Sequence, residues 1–371
     1  MSEKQKIRVG ITHGDINGVG YEVILKALED ERMPELCTPV IYGSAKIAGY
    51  YRKGALATPL QLNQISKASE ARDGQYNIIN VIGEDVKVEP GIASAEAGQA
   101  AFAALECAVT DLRSGDIDVL VTAPIDKHTI QSETFRFPGH TEYLQASLAD
   151  NGEKALMIMY DPATSLKVAL VTGHLPLAKV PAAITKETVI ASIKEFDSAL
   201  RRDFGIHRPR IAVLSLNPHT GEDGLLGSEE KEVIEPAIIE CQNARINCFG
   251  PYASDGFFGT GQFSKFDGVL AMYHDQGLAP FKTIAMNTGV NFTAGLPFVR
   301  TSPDHGTAYD IAGRGTADPD SMRQAIFAAI DIYRNRAVFD KAHSNPLRKQ
   351  YIEKNKSDNV VLDLSKSDDA D

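Results

Sequence analysis

Residues 268–274 read GVLAMYH, an apolar run that ends directly on a histidine. The same arrangement occurs in VALVTGH, residues 168–174, and in IAVLSLNPH, residues 211–219. Each run has the length and apolar composition of a buried strand. Because the carboxyl ends of parallel strands meet at one edge of an open sheet, we expect His174, His219 and His274 to leave the sheet at the same edge.

Outward from these runs, strand-like and helix-like stretches alternate along the whole chain, which is typical of an α/β protein with an open, mostly parallel sheet. The predicted strands are Ile7–Thr12, Pro39–Tyr42, Tyr76–Ile82, Val119–Thr122, Ala155–Tyr160, Val168–Thr172, Ile211–Leu216 and Gly268–Tyr273. The predicted helices are Gly20–Asp30, Ser94–Ser114, His140–Ala149, Thr185–Arg202, Glu229–Cys241 and Pro319–Phe339. For the last helix, Asp318 is the predicted N-cap and Pro319 the first residue.

The sequence contains no internal repeat and no low-complexity linker. We therefore expect residues 1–340 to form one catalytic unit of two interlocked lobes. Residues 341–371 are polar and charged, end in KSDDAD, and are predicted to be a C-terminal extension.

Composition narrows the range of partners. The chain has 371 residues and a formal net charge of -11, so its surface would repel nucleic acid and anionic membranes. No apolar run approaches the roughly 20 residues that span a bilayer, and the start MSEKQKIRVGITHGD lacks the apolar core of a signal peptide. These features predict a cytoplasmic protein with no nucleic acid or membrane partner.

The three histidines are a candidate metal site. Three imidazoles with one open position suit zinc or a neighbouring divalent metal in a catalytic role. Taken singly, each histidine could equally be a loop residue with an ordinary hydrogen-bond partner, and that alternative stays open at this point.

A second group of residues suggests an anion pocket. His140 and Thr141 lie in FPGHTEYL, at the start of a predicted helix whose free amides favour an anion. Lys282, Asn291 and Arg300 follow in PFKTIAMNTGVNFTAGLPFVRTS, where a lysine and an arginine could grip a phosphate or carboxylate. Taken alone, the two cations could also be ordinary surface charges.

Two segments are candidates for cofactor binding. The first, THGDINGVG at residues 12–20, is rich in glycine but matches neither G-x-G-x-x-G nor a Walker motif. The second, DHGTAYDIAGRGTADP at residues 304–319, has small residues that permit close backbone approach, and Asp310 or Asp318 could meet a ribose or adenine edge. The residues alone do not identify either segment as a dinucleotide site.

The sequence resembles the 4-hydroxythreonine-4-phosphate dehydrogenases of vitamin B6 synthesis. The resemblance extends to about Asn335 and is carried by PGHTEY, TGHLPL, LNPHTGEDG, AMYHDQG, GVNFTAGLPFVRTS and DHGTAYDIAGRG. That family is related to the isocitrate and isopropylmalate dehydrogenases. The resemblance implies an open α/β sheet in two lobes, with the active site in the cleft at a homodimer interface.

The resemblance also assigns roles to residues. It implies metal ligation by His174, His219 and His274 in a site shared between subunits, and substrate binding by His140, Thr141, Lys282, Asn291 and Arg300. The segment from His305 to Gly313 is similar to the NAD loop of the related dehydrogenases, so the cofactor-binding candidates are His305, Gly306, Asp310, Gly313 and Asp318. The first loop departs from the family pattern, because His13 and Tyr21 stand where the family usually has proline.

The implied reaction is the NAD(P)-dependent and divalent-metal-dependent oxidation of 4-phosphooxy-L-threonine at C3, with decarboxylation to 3-amino-2-oxopropyl phosphate, in pyridoxal 5'-phosphate biosynthesis. Asp275 and Lys282 are the candidates for proton transfer. The choice between NAD and NADP, and among zinc, cobalt, manganese and magnesium, stays open.

Two alternatives remain at this stage. The same chemistry could act on a phosphorylated sugar acid, 4-phosphothreonate or 4-phosphoerythronate, in catabolism. A zinc hydrolase could also use three histidines to activate water. The segment from His305 to Gly313 argues against the hydrolase, which needs no nicotinamide loop.

Overall fold

The computed structural model describes residues 6–56, 60–83, 85–149 and 154–345. In these residues twelve strands form a single sheet. The strands are β1 (Arg8–Thr12), β2 (Thr38–Gly43), β3 (Leu62–Ile65), β4 (Tyr76–Asn80), β5 (Val119–Thr122), β6 (Leu156–Tyr160), β7 (Lys167–Leu170), β8 (Arg210–Leu214), β9 (Asn247–Tyr252), β10 (Gly268–Ala271), β11 (Val290–Ala294) and β12 (Val299–Pro303).

Helices cover the sheet. They are α1 (Gly20–Ala27), α2 (Met33–Leu36), α3 (Ala45–Ala55), α4 (Ala95–Ser114), α5 (His140–Leu148), α6 (Val180–Ala183), α7 (Lys186–Arg202), α8 (Glu235–Asn243), α9 (Ser254–Gly259), α10 (His274–Ala285) and α11 (Asp320–His343). A π-helical turn, Glu230–Ile234, leads into α8. No helix in the described part of the chain is long and apolar enough to cross a bilayer.

Local sequence explains where the long helices begin and end. Ser94 caps α4 by accepting the Ala97 N–H, and Gly115 ends that helix in a left-handed conformation. Thr185 and Thr188 form a capping box at the start of α7. At α11 the structure differs by one residue from the prediction: Pro319 is the N-cap, and the Asp318 carboxylate accepts the Asp320 N–H at 2.9 Å.

The strand order is β3-β4-β2-β1-β5-β12-β11-β6-β7-β10-β8-β9. Most neighbours are parallel, as the sequence predicts, but the pairs β12–β11, β11–β6 and β6–β7 are antiparallel. Strands β7, β10 and β8 are parallel neighbours, so the three histidines that follow them leave the sheet at one edge. These strands run opposite to β1, β5 and β12, so the middle of the sheet is where the two directions meet.

Four strands were missed by the sequence analysis: β3, β9, β11 and β12. Strand β9 contains Gly250 and Pro251, which are unfavourable in strand interiors. Strand β12 carries Arg300, Thr301 and Ser302 and so lacks an apolar pattern, whereas β11 alternates apolar and polar residues over five residues only. The predicted C-terminal extension lies largely outside the described residues; its first part continues α11 to His343.

A buried ion pair joins α11 to α7. The Arg336 Nε lies 2.6 Å from an Asp203 carboxylate oxygen, and both side chains are buried. The same guanidinium donates to the carbonyl oxygens of Leu296 and Pro297, just before β12. Helix α11 packs on β12, β5 and β11, so the last described helix covers one face over the middle of the sheet.

The unusual first loop contains an aromatic stack. The His13 ring stacks on Tyr21, with 5.2 Å between ring centroids, and Tyr21 stacks on Tyr51. His13 is fully buried, and its burial lowers its pKa to about 4. His13 and Tyr21 therefore contact each other and form part of the core.

This burial makes stability depend on pH. Between pH 6.5 and 4 the unfolded chain protonates His13 and the folded protein does not, so acidification destabilises the folded state. The His13→Phe variant keeps the aromatic stack but cannot titrate. When the pH falls from 7 to 5, we expect its free energy of unfolding to decrease by about 2 kcal/mol less than that of the wild type. Denaturant unfolding at the two pH values measures this, and an equal loss in both proteins would contradict it.

Candidate functional site

A cavity of about 240 Å³ lies over the middle of the sheet, where the two strand directions meet. It brings together most of the predicted site residues, namely His140, Thr141, His174, His274, Lys282, Asn291, Arg300, His305 and Gly306. These residues come from both halves of the sheet: Arg300 is on β12, whereas His174 and His274 follow β7 and β10. The cavity is therefore a cleft over the sheet face, with the loops of both halves around it.

Arg300 is the buried cation of this cavity. Its side chain is 3% exposed, and it donates to the hydroxyls of Thr122, at 2.6 and 3.1 Å, and Thr293, at 3.2 Å. Within the described ranges no carboxylate forms an ion pair with it. Burial lowers its pKa to about 10, against the opposing charge of Glu142. A buried guanidinium that remains protonated and lacks a carboxylate partner attracts an anion into the cavity.

His140 adds a polar group to the same anion site. It is the first residue of α5, whose free N-terminal amides and helix dipole also favour an anion. Burial lowers the pKa of His140 well below its ordinary value, and the charges of Arg300 and Lys127 lower it further. The imidazole is therefore neutral near pH 7 and can donate one hydrogen bond, with Thr141 beside it.

His174 and His274 face each other across the cavity, with 5.9 Å between their ring centroids. The His274 Nδ1 lies 2.8 Å from an Asp275 carboxylate oxygen. The His174 Nδ1 lies 3.7 Å from an oxygen of Glu142. A carboxylate at Nδ1 orients an imidazole and leaves its Nε2 for a metal ion. Two histidines oriented in this way are two of the ligands that a divalent metal site would use.

His219, the third predicted ligand, lies away from this cavity. It begins a run of left-handed residues after β8, with φ of 53°, and it is exposed and outside the cavity wall. The buried Glu230 carboxylate holds this loop by accepting the N–H groups of Leu216 and Asn217. Across the described chain, no three His, Cys, Asp or Glu side chains are close enough to hold a metal. The single chain therefore brings together two of the three predicted ligands.

Several cavity residues have unused hydrogen-bonding atoms. The Asn291 Oδ1 and the His305 Nε2 are buried and have no hydrogen-bond partner among the described residues. Burial also lowers the pKa of His305, so its ring is neutral near pH 7. Lys282 lies in the cavity wall with its Nζ 3.0 Å from an Asp304 oxygen. A bound molecule with polar groups would satisfy these atoms.

The remaining predicted residues lie outside the cavity wall. Asp275 is 86% exposed and contacts His274. Asp310, Gly313 and Asp318 belong to the exposed part of the loop between β12 and α11, where the Gly313 N–H donates to the Glu22 carboxylate. Their roles stay predictions.

The two glycine-rich segments contact each other. The Val19 N–H donates to the Thr307 carbonyl at 3.0 Å, and the Tyr309 hydroxyl donates to Asp15 at 2.8 Å. A Cβ on Gly18 would lie 2.8 Å from the Thr307 oxygen, which explains glycine at this position. The first segment thus supports the loop that follows β12.

Sequence analysis missed several polar side chains of the site, including Thr122, Glu142, Thr293 and Asp304, as well as Lys127 and Ser302 in the cavity wall. Glu142 and Asp304 stood inside quoted motifs, two residues after His140 and one before His305, so their proximity to assigned residues was the available signal. Thr122 and Thr293 gave no signal, because their role depends on strands β5, β12 and β11 being neighbours.

Comparisons with known proteins agree on one family. Residues 35–329 match the family described as pyridoxal phosphate biosynthetic protein PdxA. A 4-hydroxythreonine-4-phosphate dehydrogenase of Bacteroides thetaiotaomicron is 57% identical over 367 residues, 99% of this chain and all of that protein. A protein of Oceanobacillus iheyensis, provisionally named D-threonate 4-phosphate dehydrogenase, is 39% identical and matches 87% of this chain and 97% of its own length.

Solved structures agree as well. A 4-hydroxythreonine-4-phosphate dehydrogenase from Klebsiella pneumoniae superimposes with a TM-score of 0.76 and 33% identity, covering 90% of this chain and 99% of that one. The predicted fold class, an open and mostly parallel α/β sheet, is confirmed by the strand order and by this likeness.

The unpaired charge of Arg300 leads to a binding prediction. Inorganic phosphate at ten times its Kd should stabilise the folded wild type by about 1.4 kcal/mol. Its melting temperature should therefore rise. In Arg300→Met this stabilisation should disappear, although the variant itself should fold, because the residue removed is a buried cation without a carboxylate partner. Differential scanning calorimetry with and without phosphate measures both effects.

The matched control is Arg323→Gln, which removes an arginine that pairs with Asp320 outside the cavity. It should respond to phosphate as the wild type does. Equal stabilisation of Arg300→Met and the control would show that phosphate binds elsewhere.

Proposed function

The chain belongs to the PdxA family of 4-hydroxythreonine-4-phosphate dehydrogenases, and from this premise we propose that it oxidises 4-phosphooxy-L-threonine at C3 with NAD or NADP. The C1 carboxylate then leaves as CO₂, and the product is 3-amino-2-oxopropyl phosphate, for pyridoxal phosphate synthesis. The observation that carries the proposal is the meeting of Arg300 with the His174–His274 pair in one cavity.

In this proposal the substrate's phosphate binds at Arg300, His140 and Thr141. The Arg300 guanidinium and the α5 amides supply positive charge, and the neutral His140 donates a hydrogen bond. Asn291 faces the substrate with its unpartnered Oδ1, which accepts a hydrogen bond from a hydroxyl or an ammonium group. Anchoring at these points places the substrate's middle carbons toward the two histidines.

A divalent metal would be held by His174 and His274, with His219 of a second copy of the chain as the third ligand. A metal bound there would supply Lewis-acid chemistry to the reaction. Glu142 and Asp275 orient the two imidazoles. The exposed Leu175 and Leu177 beside His174, and Leu225 and Leu226 beyond His219, support a second copy as the partner, because such apolar side chains favour burial in an interface.

The nicotinamide cofactor would bind along the loop after β12. His305 and Gly306 line the cavity, which suits the reactive end of the cofactor. Asp310, Gly313 and Asp318 lie farther along the same loop, which suits its adenosine end. For proton transfer we favour Lys282, since it lines the cavity, whereas Asp275 acts through its contact with His274.

One second candidate has a specific observation in its favour. The Oceanobacillus relative bears the name of a D-threonate 4-phosphate dehydrogenase at 39% identity. A phosphorylated sugar acid carries a hydroxyl where phosphooxythreonine carries an amine, and both fit the phosphate anchor. The zinc hydrolase is not retained, because the relatives of this chain are dehydrogenases.

The substrate prediction is direct. Metal-reconstituted protein should form NADH or NADPH with 4-phosphooxythreonine faster than with 4-phosphothreonate, and chelator should stop the reaction. Absorbance at the wavelength of the reduced nicotinamide measures the rate. A preference for 4-phosphothreonate would keep the proposed reaction type and change the proposed substrate. If neither substrate led to reduction of NAD or NADP, the proposed function would be contradicted.

The shared metal site predicts complementation between inactive variants. His174→Ala and His219→Ala should each be inactive alone. In a mixed dimer one of the two sites regains all three histidines, so turnover should return to about half of the wild-type value per dimer. Coexpression with two different affinity tags isolates the mixed dimer.

A mixture of His174→Ala and His274→Ala is the control. Both of these histidines belong to the same site of one protomer, so neither site of the mixed dimer is complete and no turnover should return. If the His174→Ala and His219→Ala pair also stays inactive, the third ligand does not come from a second copy.

A further inference from the structure

Asp304 is a buried carboxylate directly behind Lys282. Its side chain is 6% exposed, and one carboxylate oxygen lies 3.0 Å from the Lys282 Nζ. The same Nζ also donates to the Asp304 backbone carbonyl at 3.2 Å. Lys282 is therefore held at two points by one residue, while its side chain stays 37% exposed in the cavity wall.

The backbone of Asp304 is anchored as well. Its N–H donates to the Ser321 hydroxyl at 3.0 Å, and that hydroxyl donates to the Gly289 carbonyl at 2.7 Å. Ser321 is buried in the first turn of α11. Because Asp304 follows β12 immediately, its position relative to Arg300 is set by the strand and by α11.

The second carboxylate oxygen of Asp304 is unused. It is buried and has no hydrogen-bond partner among the described residues. Burial raises the pKa of Asp304, against the opposing charge of Lys282. A buried carboxylate with one free oxygen can accept a proton at small cost compared with an exposed one.

We propose that Asp304 is a positioning residue that holds the Lys282 amino group in the cavity and exchanges a proton with it, so that the pair can take a proton from the substrate and return it. This inference rests on the proposed function and adds a residue that the sequence analysis left without a role. It names Lys282 as the catalytic group and Asp304 as its partner.

The proton returns to the substrate within one turnover. In the oxidation the O–H bond at C3 breaks and its proton passes to Lys282, which transfers one of its own protons to Asp304. The C3–H bond also breaks, and the hydrogen leaves with its electron pair as hydride to the nicotinamide. The C1–C2 bond then breaks, CO₂ leaves, and the electron pair forms the enolate between C2 and C3.

Lys282 next gives a proton to C2, a C–H bond forms there, and Asp304 returns its proton to the lysine. The proton taken from the hydroxyl equals the one given to carbon, so the overall reaction neither consumes nor releases a proton. The role of Asp304 is to let an ammonium group, which has no free electron pair, act first as an acceptor.

The test compares Asp304→Asn with Asp304→Glu. Asparagine can accept the hydrogen bond from Lys282 but cannot hold the proton, so kcat should fall about 100-fold or more, with KM for the substrate changed less than about threefold. Glutamate restores a carboxyl group and should recover about tenfold of the lost kcat. Phosphate should still raise the melting temperature of both variants.

Asp203→Asn is the matched control for folding. It removes the charge from a buried Asp–Arg pair of similar burial that lies away from the cavity. It should lower the melting temperature and leave kcat near the wild-type value. Asp304→Asn with kcat within threefold of the wild type, or with kcat and phosphate binding lost together, would overturn the proposal.

A second readout does not depend on the substrate. Trace labelling with acetic anhydride at pH 7, followed by peptide mass spectrometry, reports the reactivity of each lysine. Without the Asp304 carboxylate the Lys282 amino group is no longer held in an ion pair, so it should react about threefold faster relative to Lys186. In Asp203→Asn the ratio should not change. An unchanged ratio in Asp304→Asn overturns the inference about Asp304, whether or not the wild type is active. A wild type that is inactive with both substrates contradicts only the proposed function.

Discussion

A buried guanidinium without a carboxylate partner is the constraint on which this site depends. Arg300 is held by two threonine hydroxyls from neighbouring strands, so its orientation is fixed while its charge is not neutralised within the protein. Burying a charge in this way is unfavourable unless an anion completes it. The unfavourable free energy of burying this charge is present at the centre of the sheet, and binding of an anion relieves it.

Around this cation, the reversal of strand direction brings two kinds of residue together. Strands β5 and β12 present Thr122 and Arg300, while β7 and β10 run the other way and are followed by His174 and His274. In a sheet with one direction throughout, Arg300, near the start of its strand, and the two histidines, beyond the ends of theirs, would lie toward opposite edges. Here Arg300 and the two imidazoles line one cavity together with Glu142, whose charge acts on both His174 and Arg300.

The sequence alone predicted the parts of the structure that depend on local pattern. The apolar runs before the three histidines formed strands, and their parallel neighbours were correctly anticipated. It did not predict β12, because Arg300 and the residues after it interrupt the apolar pattern, or β11, whose alternation of apolar and polar residues is only five residues long. His219 lies apart from His174 and His274, in a loop of left-handed residues. Most of these residues are not glycine, so their sequence does not indicate a left-handed conformation. Asp304 was visible only as a neighbour of His305, since its partner Lys282 is 22 residues away.

The place of β12 in the sheet has a consequence for how the chain is made. Strand β12 lies between β5 and β11, and α11 covers it, yet both come from the last quarter of the described residues. The early strands therefore wait, with an incomplete sheet edge, until almost the whole polypeptide has left the ribosome. A truncated translation product would expose that edge, which is the kind of surface that chaperones bind and that promotes aggregation.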